Sequence, residues 1–198
     1  MKIAIIGWGS LIRDPGEITL ASRWRRGGPL LPLEFSRKSR GNRLTLVIDE
    51  VEGSQSTFWT LSDCETVEEA RDDVREREGT SDSRIHSIDQ DGMFYGHKRI
   101  DSVVIAVREW MLASDIDATI WTGLEPNWPG DETREFGEWC HDAAVAYLRC
   151  LRYHNIHQDA EAYFRLAPPE IETRLRLRVE RDLGWAREAL PPELVEDI

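Results

Sequence analysis

The part of this chain best suited to chemistry is a glycine-rich segment that follows the first apolar run. Ile3–Ile6 is short, apolar and rich in β-branched residues, which predicts a buried strand, and it ends abruptly in Gly7-Trp8-Gly9-Ser10. Glycine allows a sharp turn and lets a ligand approach the backbone amides closely. The sequence therefore predicts a loop in which main-chain N–H groups hold a small polar molecule.

A predicted helix supplies the second candidate group, a glutamate at its end. The helix spans Thr66–Glu78, because Thr66 and Glu69 form a T-x-x-E capping box and Gly79 provides a C-terminal stop. At about 100° per residue, the apolar side chains of this helix define one buried face. They are Val67, Ala70 and Val74.

Glu78 lies on this buried face, about 20° around the helix axis from Val67, whereas Glu76 points outward. A buried carboxylate costs free energy unless it has a task or a partner. Burial and the negative end of the helix dipole both disfavour its ionised form, which suits a general base. Two alternatives stay open: Glu78 pairs with Arg71, about two turns back on nearly the same face, or it extends into water past the helix end.

The charge distribution limits the classes of partner. The 198 residues carry a net charge of −12, which is unsuited to general binding of nucleic acid or of anionic membranes. The range 23–43 differs, with seven basic residues and one acid, against 18 basic and 36 acidic residues in the remainder. This basic segment predicts a small anionic ligand such as a carboxylate or a phosphate. The alternative is a solvated loop flanked by intramolecular salt bridges.

Cysteine content and hydropathy indicate a cytoplasmic protein. Three cysteines are an odd number, and Cys140 and Cys150 would lie about 15 Å apart on one helix, too far for a disulfide. The apolar run before Gly7 is too short for a secretory signal, and no run approaches the length of a membrane span. We therefore expect a cytoplasmic location and no membrane association.

Other classes of site fit these residues less well. The third glycine of a dinucleotide-binding G-x-G-x-x-G segment would fall at Ile12, and Arg13-Asp14-Pro15-Gly16 predicts a turn where that site needs a helix. His154 and His157 have partial metal-ligand spacing, without a further Cys or acid in a familiar pattern. We predict neither a metal nor a cofactor.

The order of the predicted elements indicates an α+β fold in a single domain, 1–198. Residues 1–125 are expected to form a β-rich core, and residues 126–198 a helical extension packed on it. The predicted strands are Ile3–Ile6, Leu30–Phe35, Leu44–Ile48, Thr57–Leu61 and Ala118–Trp121, and the predicted helices are Thr66–Glu78, Ser102–Ala113, Glu132–Tyr153, Gln158–Leu166 and Pro169–Leu183. The arginines of the last helix indicate a half-exposed face, with a homodimer contact as the alternative. They are Arg174, Arg176, Arg178 and Arg181.

Three short motifs stand in order within residues 3–80: Trp8-Gly9-Ser10-Leu11, Arg37-Lys38-Ser39 and Arg77-Glu78. Together they resemble the gamma-glutamylcyclotransferase-like superfamily, including its ChaC-like members. There a Tyr-Gly-Ser-Leu or Tyr-Gly-Ser-Asn loop ends the first strand, an Arg-x-Ser strand end lines the pocket, and the catalytic glutamate often follows an arginine. The chain departs from this pattern in having Trp8 for tyrosine and Gly79-Thr80 for Gly-Tyr.

The resemblance implies a gamma-glutamylcyclotransferase-like mixed β-barrel with flanking helices and a helical C-terminal extension. It implies a transferase or lyase that cyclises a small anionic substrate, a gamma-glutamyl amine or peptide, to 5-oxoproline. Glu78 would be the general base, and the substrate would be bound by Trp8, Gly9, Ser10, Leu11, Arg37 and Ser39. The alternatives are a non-catalytic module of the same fold that binds a small ligand or a protein, and an amide hydrolase or transferase with another substrate.

Overall fold

The computed structural model describes residues 1–50, 53–128 and 138–196. Within these ranges the protein is a mixed α+β structure with ten strands and six α-helices. The strands are β1 (Ile3–Gly7), β2 (Trp24–Arg25), β3 (Leu31–Lys38), β4 (Leu44–Ile48), β5 (Ser54–Gln55), β6 (Phe58–Leu61), β7 (Ile85–Asp89), β8 (Phe94–Tyr95), β9 (Ala118–Thr122) and β10 (Val195–Glu196). The helices are α1 (Ser10–Arg13), α2 (Val67–Glu78), α3 (Asp101–Ser114), α4 (Glu138–Tyr153), α5 (Gln158–Leu166) and α6 (Arg174–Leu183).

The chain divides into two compact units. The first comprises Met1–Leu31, Ser56–Leu124 and Pro191–Ile198, and the second comprises Pro32–Gln55 and Glu125–Leu190. Strands β3 and β4 therefore group with the late helices, and the chain end groups with the first unit. The single domain with a core of 1–125 and an extension of 126–198 stays a prediction.

The first unit is built on a seven-stranded sheet in the order β10-β2-β6-β1-β9-β7-β8. Strand β1 lies at its centre, antiparallel to β6 and parallel to β9, with Ile5 opposite Thr60 on one side and Ile120 on the other. All five residues of β1 are buried, so both faces of the sheet are covered there. The predicted strand and its end at the glycine-rich segment are confirmed.

Helix α2 packs on β7 and β9. Thr66 Oγ1 accepts a hydrogen bond from the N–H of Glu69, whose carboxylate accepts one from the N–H of Thr66, so the predicted capping box is confirmed. Gly79 adopts the left-handed conformation, and its N–H bonds back to carbonyls of the last turn, as predicted for the helix stop. Both ends of α2 are thereby held, which fixes the place of its last residue, Glu78.

The second unit combines a three-stranded sheet, in the order β4-β3-β5, with helices α4, α5 and α6. Helix α4 packs on α6, and α5 packs on β4. Residues 33–36 of β3 are buried in succession, so both faces of this strand are covered. The Phe35 ring stacks on the Phe164 ring with centroids 4.1 Å apart, which joins β3 to α5.

The β-barrel implied by the family resemblance is not found within the described residues. The seven strands follow one open order, and its outermost members β10 and β8 have two residues each. Among the described strands, β10 pairs with β2 and β8 pairs with β7, and no pairing joins these two outer strands to each other. The prediction of a barrel is therefore wrong for the part of the chain that the structure describes.

Helix α6 begins at Arg174 rather than at Pro169, because the Thr173 side chain accepts a hydrogen bond from the Arg176 N–H and caps the helix there. The start of the predicted helix Glu132–Tyr153, at 132–137, lies outside the described residues. None of the helices within the described ranges combines the length and the apolar character of a membrane span.

Candidate active site

Residues 8–16, termed the β1 loop, connect β1 through the four-residue helix α1 to a turn. The glycine that precedes the loop serves packing, because a Cβ at Gly7 would lie 2.8 Å from the Trp24 ring. Within the loop, Trp8 and Leu11 are buried, whereas Ser10 is exposed. Ligand approach therefore does not explain Gly7, and Ser10 is the accessible polar side chain of the predicted substrate motif.

Arg77 joins the end of α2 to the β1 loop. Its Nη1 donates to Glu78 Oε1 at 2.5 Å, and its Nη2 donates to Ser10 Oγ at 3.2 Å. Its Nε and Nη2 also donate to the carbonyl oxygen of Asp14, at 2.9 and 2.7 Å. One guanidinium thus connects the candidate base to the candidate substrate loop. Ser10, Asp14, Arg77 and Glu78 are termed the Arg77 cluster.

The Glu78 carboxylate is largely shielded from bulk water. Its side chain is 16% exposed and that of Arg77 is 12% exposed. The adjacent guanidinium offsets much of the cost of burying the carboxylate. The Glu76 side chain, two residues earlier, is 76% exposed. The predicted difference between these two glutamates is confirmed.

Both alternatives raised for Glu78 are wrong. Arg71 pairs with Asp82 at 2.6 Å, and its guanidinium carbon lies 3.6 Å from the Tyr95 ring centroid. Arg71 is therefore engaged by a loop acid and an aromatic face, and Glu78 pairs with Arg77 instead. The carboxylate also does not extend into water, since the Glu78 side chain is only 16% exposed.

Two predicted substrate-binding residues, Arg37 and Ser39, belong to the second unit. Arg37 Nη1 donates to the carbonyl oxygen of Glu125 at 2.6 Å. The Ser39 hydroxyl is buried without a hydrogen-bond partner. The structure brings Ser10 and Glu78 together through Arg77, and the roles of Arg37 and Ser39 stay predictions. The remaining predicted site residues belong to the first unit: Trp8, Gly9, Ser10, Leu11 and Glu78.

The basic segment of residues 23–43 is divided between the two units, and its charges contact other groups of the protein. In the first unit, the Nε atoms of Arg25 and Arg23 lie 2.9 and 4.0 Å from Glu196 carboxylate oxygens. The hydrogen bond from Arg25 holds the pKa of Glu196 below its ordinary value. In the second unit, Lys38 Nζ lies 4.8 Å from the Tyr147 ring centroid, a cation–π contact. These contacts favour the alternative of intramolecular pairing for this segment.

A second buried carboxylate, Glu34, lies in the second unit and is 2% exposed. Its Oε1 accepts a hydrogen bond from the Phe35 N–H at 2.7 Å, and its Oε2 accepts one from the Leu175 N–H at 3.1 Å. His141 Nε2 lies 3.3 Å from the same Oε2. Both oxygens are thus used by the fold, and Glu34 sits at the positive end of α6.

Arg176 of α6 departs from the predicted half-exposed arginine face, since it is 1% exposed. Its guanidinium donates to four backbone carbonyls at 2.5–3.0 Å. They belong to Phe164, Ala167, Pro168 and Ile171. Burial lowers the pKa of Arg176 to about 10, and the nearby charge of Arg187 acts in the same direction. The side chain closes the end of α5 and the turn into α6, where helix carbonyls lack partners.

Metal-ligand geometry is absent from the part of the chain that the structure describes, where no three His, Cys, Asp or Glu side chains cluster. His157 Nε2 lies 3.6 Å from a Glu161 carboxylate oxygen, and its ring stacks on Trp185. These contacts give His157 a packing role. The Arg77 cluster contains one carboxylate beside a guanidinium, which is not a donor set for a hard cation.

Sequence reasoning missed the role of Arg77 and of the turn that receives it. Gly16 has a φ of +62°, and a Cβ there would lie 3.2 Å from Arg77 Cγ, so the turn packs against the arginine stem. The turn itself was predictable from Asp14-Pro15-Gly16. Its partner was not, because Arg77 lies 63 positions from the Asp14 carbonyl that it binds.

No family model matches the chain, and neither does any curated protein or solved structure. The functional conclusion therefore depends on the chemistry of the residues that the fold brings together.

Proposed function

We propose that this protein is a gamma-glutamylcyclotransferase-like enzyme in which Glu78 is the general base. The observation that carries the proposal is the link from Glu78 Oε1 through Arg77 to Ser10 Oγ. It joins the motif that resembles the substrate loop to the motif that resembles the catalytic glutamate, across 67 positions of sequence. A base acts within hydrogen-bond reach of the proton that it removes, and a substrate bound by the β1 loop would lie beside the carboxylate that Arg77 connects to this loop.

In the proposed reaction, the gamma-glutamyl group curls so that its α-amino nitrogen faces its own γ-carbonyl carbon. Glu78 takes a proton from the amino group, the nitrogen forms a new C–N bond to this carbon, and the original amide C–N bond breaks. The departing nitrogen takes up the proton, so the products are 5-oxoproline and a free amine, amino acid or peptide. The atoms balance without water as a reactant.

The chain supplies two further groups to this reaction. The amides of Ser10 and Leu11 lie in the first turn of α1, where helix N–H groups have no partner within the helix. In the proposal they bind the substrate carboxylate or the oxyanion that develops on the γ-carbonyl. Arg77 holds Glu78 Oε1, and Oε2 is the oxygen that receives the proton. Most of the rate enhancement comes from imposing the curled geometry on a flexible substrate.

We also propose the gamma-glutamylcyclotransferase-like fold, in an open form. The mixed α+β architecture and the buried central strand that leads into the β1 loop support it. The open seven-stranded order departs from the barrel that the resemblance implies. The proposal therefore rests on the Arg77 cluster more than on the sheet.

Incubation of the purified protein with a panel of gamma-glutamyl peptides and amines, with 5-oxoproline measured by mass spectrometry, tests the proposal. We expect product from the wild type and a fall in kcat of about 10²–10⁴-fold for Glu78→Gln, which keeps the side-chain size but removes the base. Glu76→Gln is the matched control, because it makes the same change on a side chain that is 76% exposed. It should retain full activity.

Three outcomes would contradict the proposal. Thermal stabilisation by a gamma-glutamyl compound without 5-oxoproline would identify a binding module. Release of the amine together with glutamate rather than 5-oxoproline would identify an amide hydrolase. Full turnover by Glu78→Gln would remove the assignment of the base.

A further inference from the structure

We propose that Arg77 is a positioning residue that holds the Glu78 carboxylate against the β1 loop, an inference that rests on the proposed function. Its guanidinium uses three nitrogens on three partners: Nη1 on Glu78, Nη2 on Ser10, and Nε with Nη2 on Asp14. One planar group thus fixes the base and the loop relative to each other. Lysine cannot reproduce this, because a single ammonium has no fork of donors in fixed directions.

Glu78 needs such a partner because of its place in the helix. It is the last residue of α2, where the chain turns away and a side chain has fewer helical neighbours to restrict its rotamers. Catalysis by a positioned base loses rate steeply when that base is displaced by about 1 Å. The Nη1 contact holds one carboxylate oxygen in place and leaves the other for proton transfer.

The β1 loop needs the same partner for a different reason. Helix α1 has four residues, which is too short to be stable through its own hydrogen bonds. The Asp14 carbonyl that Arg77 binds lies just after α1, and Gly16 packs against the arginine stem. Arg77 therefore anchors the loop at the point where it leaves the helix.

The kinetic test compares Arg77→Lys with Arg75→Lys, which changes an arginine of the same helix that pairs within α2, with Asp72 at 3.0 Å. We expect Arg77→Lys to lower kcat by about 10–100-fold and to change KM by less than about threefold, since a displaced base affects the transition state more than substrate binding. Arg75→Lys should leave both constants near the wild-type values.

Hydrogen exchange and chemical rescue separate positioning from a general loss of structure. Amides of the β1 loop should exchange at least about tenfold faster in Arg77→Lys than in the wild type, with amides of β1 unchanged. Guanidinium ion added at non-denaturing concentration should restore part of the kcat of Arg77→Ala. It should not restore Glu78→Gln, which lacks the base itself.

A second variant keeps the proposal testable if the Arg77 variants fold poorly. Gly16→Ala places a Cβ against Arg77 Cγ and strains a left-handed residue, so it disturbs the arginine stem and the end of the β1 loop while the Glu78 and Ser10 side chains are unchanged. We expect a several-fold loss of kcat with KM little changed.

Two results would overturn the proposal when the wild type is active. One is a normal kcat for Arg77→Lys, and the other is hydrogen exchange in the β1 loop of Arg77→Lys that is unchanged from the wild type. Failure of the proposed function is a different result: the wild type then forms no 5-oxoproline from any compound of the panel, and the positioning role falls with it.

Discussion

The two units of this protein each hold a shielded glutamate, and the two carboxylates have opposite surroundings. Glu34 in the second unit is the more deeply buried, with both oxygens bound by backbone N–H groups. Glu78 in the first unit is partly exposed and has one oxygen held by Arg77 at the edge of a loop. Depth of burial alone would select Glu34 rather than the proposed base, Glu78.

The shielded charged side chains of the two units differ in their hydrogen-bond partners. The second unit uses charged groups to satisfy backbone atoms, as Glu34 does at the start of α6 and Arg176 does at the end of α5. In Glu34 each carboxylate oxygen already accepts a hydrogen bond from a backbone N–H, so both oxygens have a structural role. In the first unit, one guanidinium binds both Glu78 and the hydroxyl of the exposed residue Ser10.

The largest expected effect separates the two glutamates directly. Glu78→Gln should reduce 5-oxoproline formation by about 10²–10⁴-fold while changing the free energy of unfolding by less than about 1 kcal/mol. Glu34→Gln should do the reverse, costing about 1–3 kcal/mol of stability with normal turnover per folded molecule. Steady-state kinetics and urea denaturation on both variants check this. Equal losses of kcat in the two variants would contradict the assignment of different roles to Glu78 and Glu34.

Removal of Arg176 tests how far the second unit depends on its buried charge. Arg176→Met fills similar space but leaves four backbone carbonyls without their donor, so we expect a loss of about 3–5 kcal/mol in unfolding free energy. Arg174→Met, on an exposed position of the same helix, should stay within about 0.5 kcal/mol of the wild type. Similar urea midpoints for the two variants would show that Arg176 is not structural.

The stability of the first unit should depend on the close packing around Gly123. At Gly123 a Cβ would lie 2.2 Å from Nε2 of His86, a buried ring. Gly123→Ala should therefore cost about 1–3 kcal/mol by overpacking, measured by thermal or urea unfolding. Gly53→Ala, in the second unit, is the control, since a Cβ there meets nothing within 4 Å. A stable Gly123→Ala protein would contradict this view of the first unit.

The smallest expected effect is a pH dependence at the end of the chain. The hydrogen bond from Arg25 holds the pKa of Glu196 below its ordinary value of 4.5. Its contribution to stability is therefore fully present above that value and is lost as the pH falls through the lower folded-state pKa. Hydrogen exchange of β10 amides should be flat from neutral pH to about pH 5, after correction for intrinsic rates, and should accelerate at lower pH. Glu196→Gln should weaken this acceleration, and an identical profile would exclude the ion pair as its cause.

Local signals accounted for much of the fold. The bounds of β4 and α5 match the predicted ranges, and α2 begins and ends where its capping box and Gly79 indicated. Capping and side-chain periodicity depend on residues three or four positions apart, so they are visible in sequence. Strand β7 was much harder to predict, because its buried His86 and Ser87 interrupt the apolar pattern that marks an interior strand.

The sequence by itself determined that Glu78 ends a helix on its sheltered side and that a glycine-rich loop follows the first buried strand. Only the tertiary structure decided that Arg77 binds Glu78, Ser10 and Asp14 together. It also decided that Glu34 accepts a hydrogen bond from the first turn of α6. The physical reason is the separation of the interacting residues along the sequence. A helix face follows from neighbouring residues, whereas a hydrogen bond across 63 or 67 positions exists only once α2 has packed on its sheet.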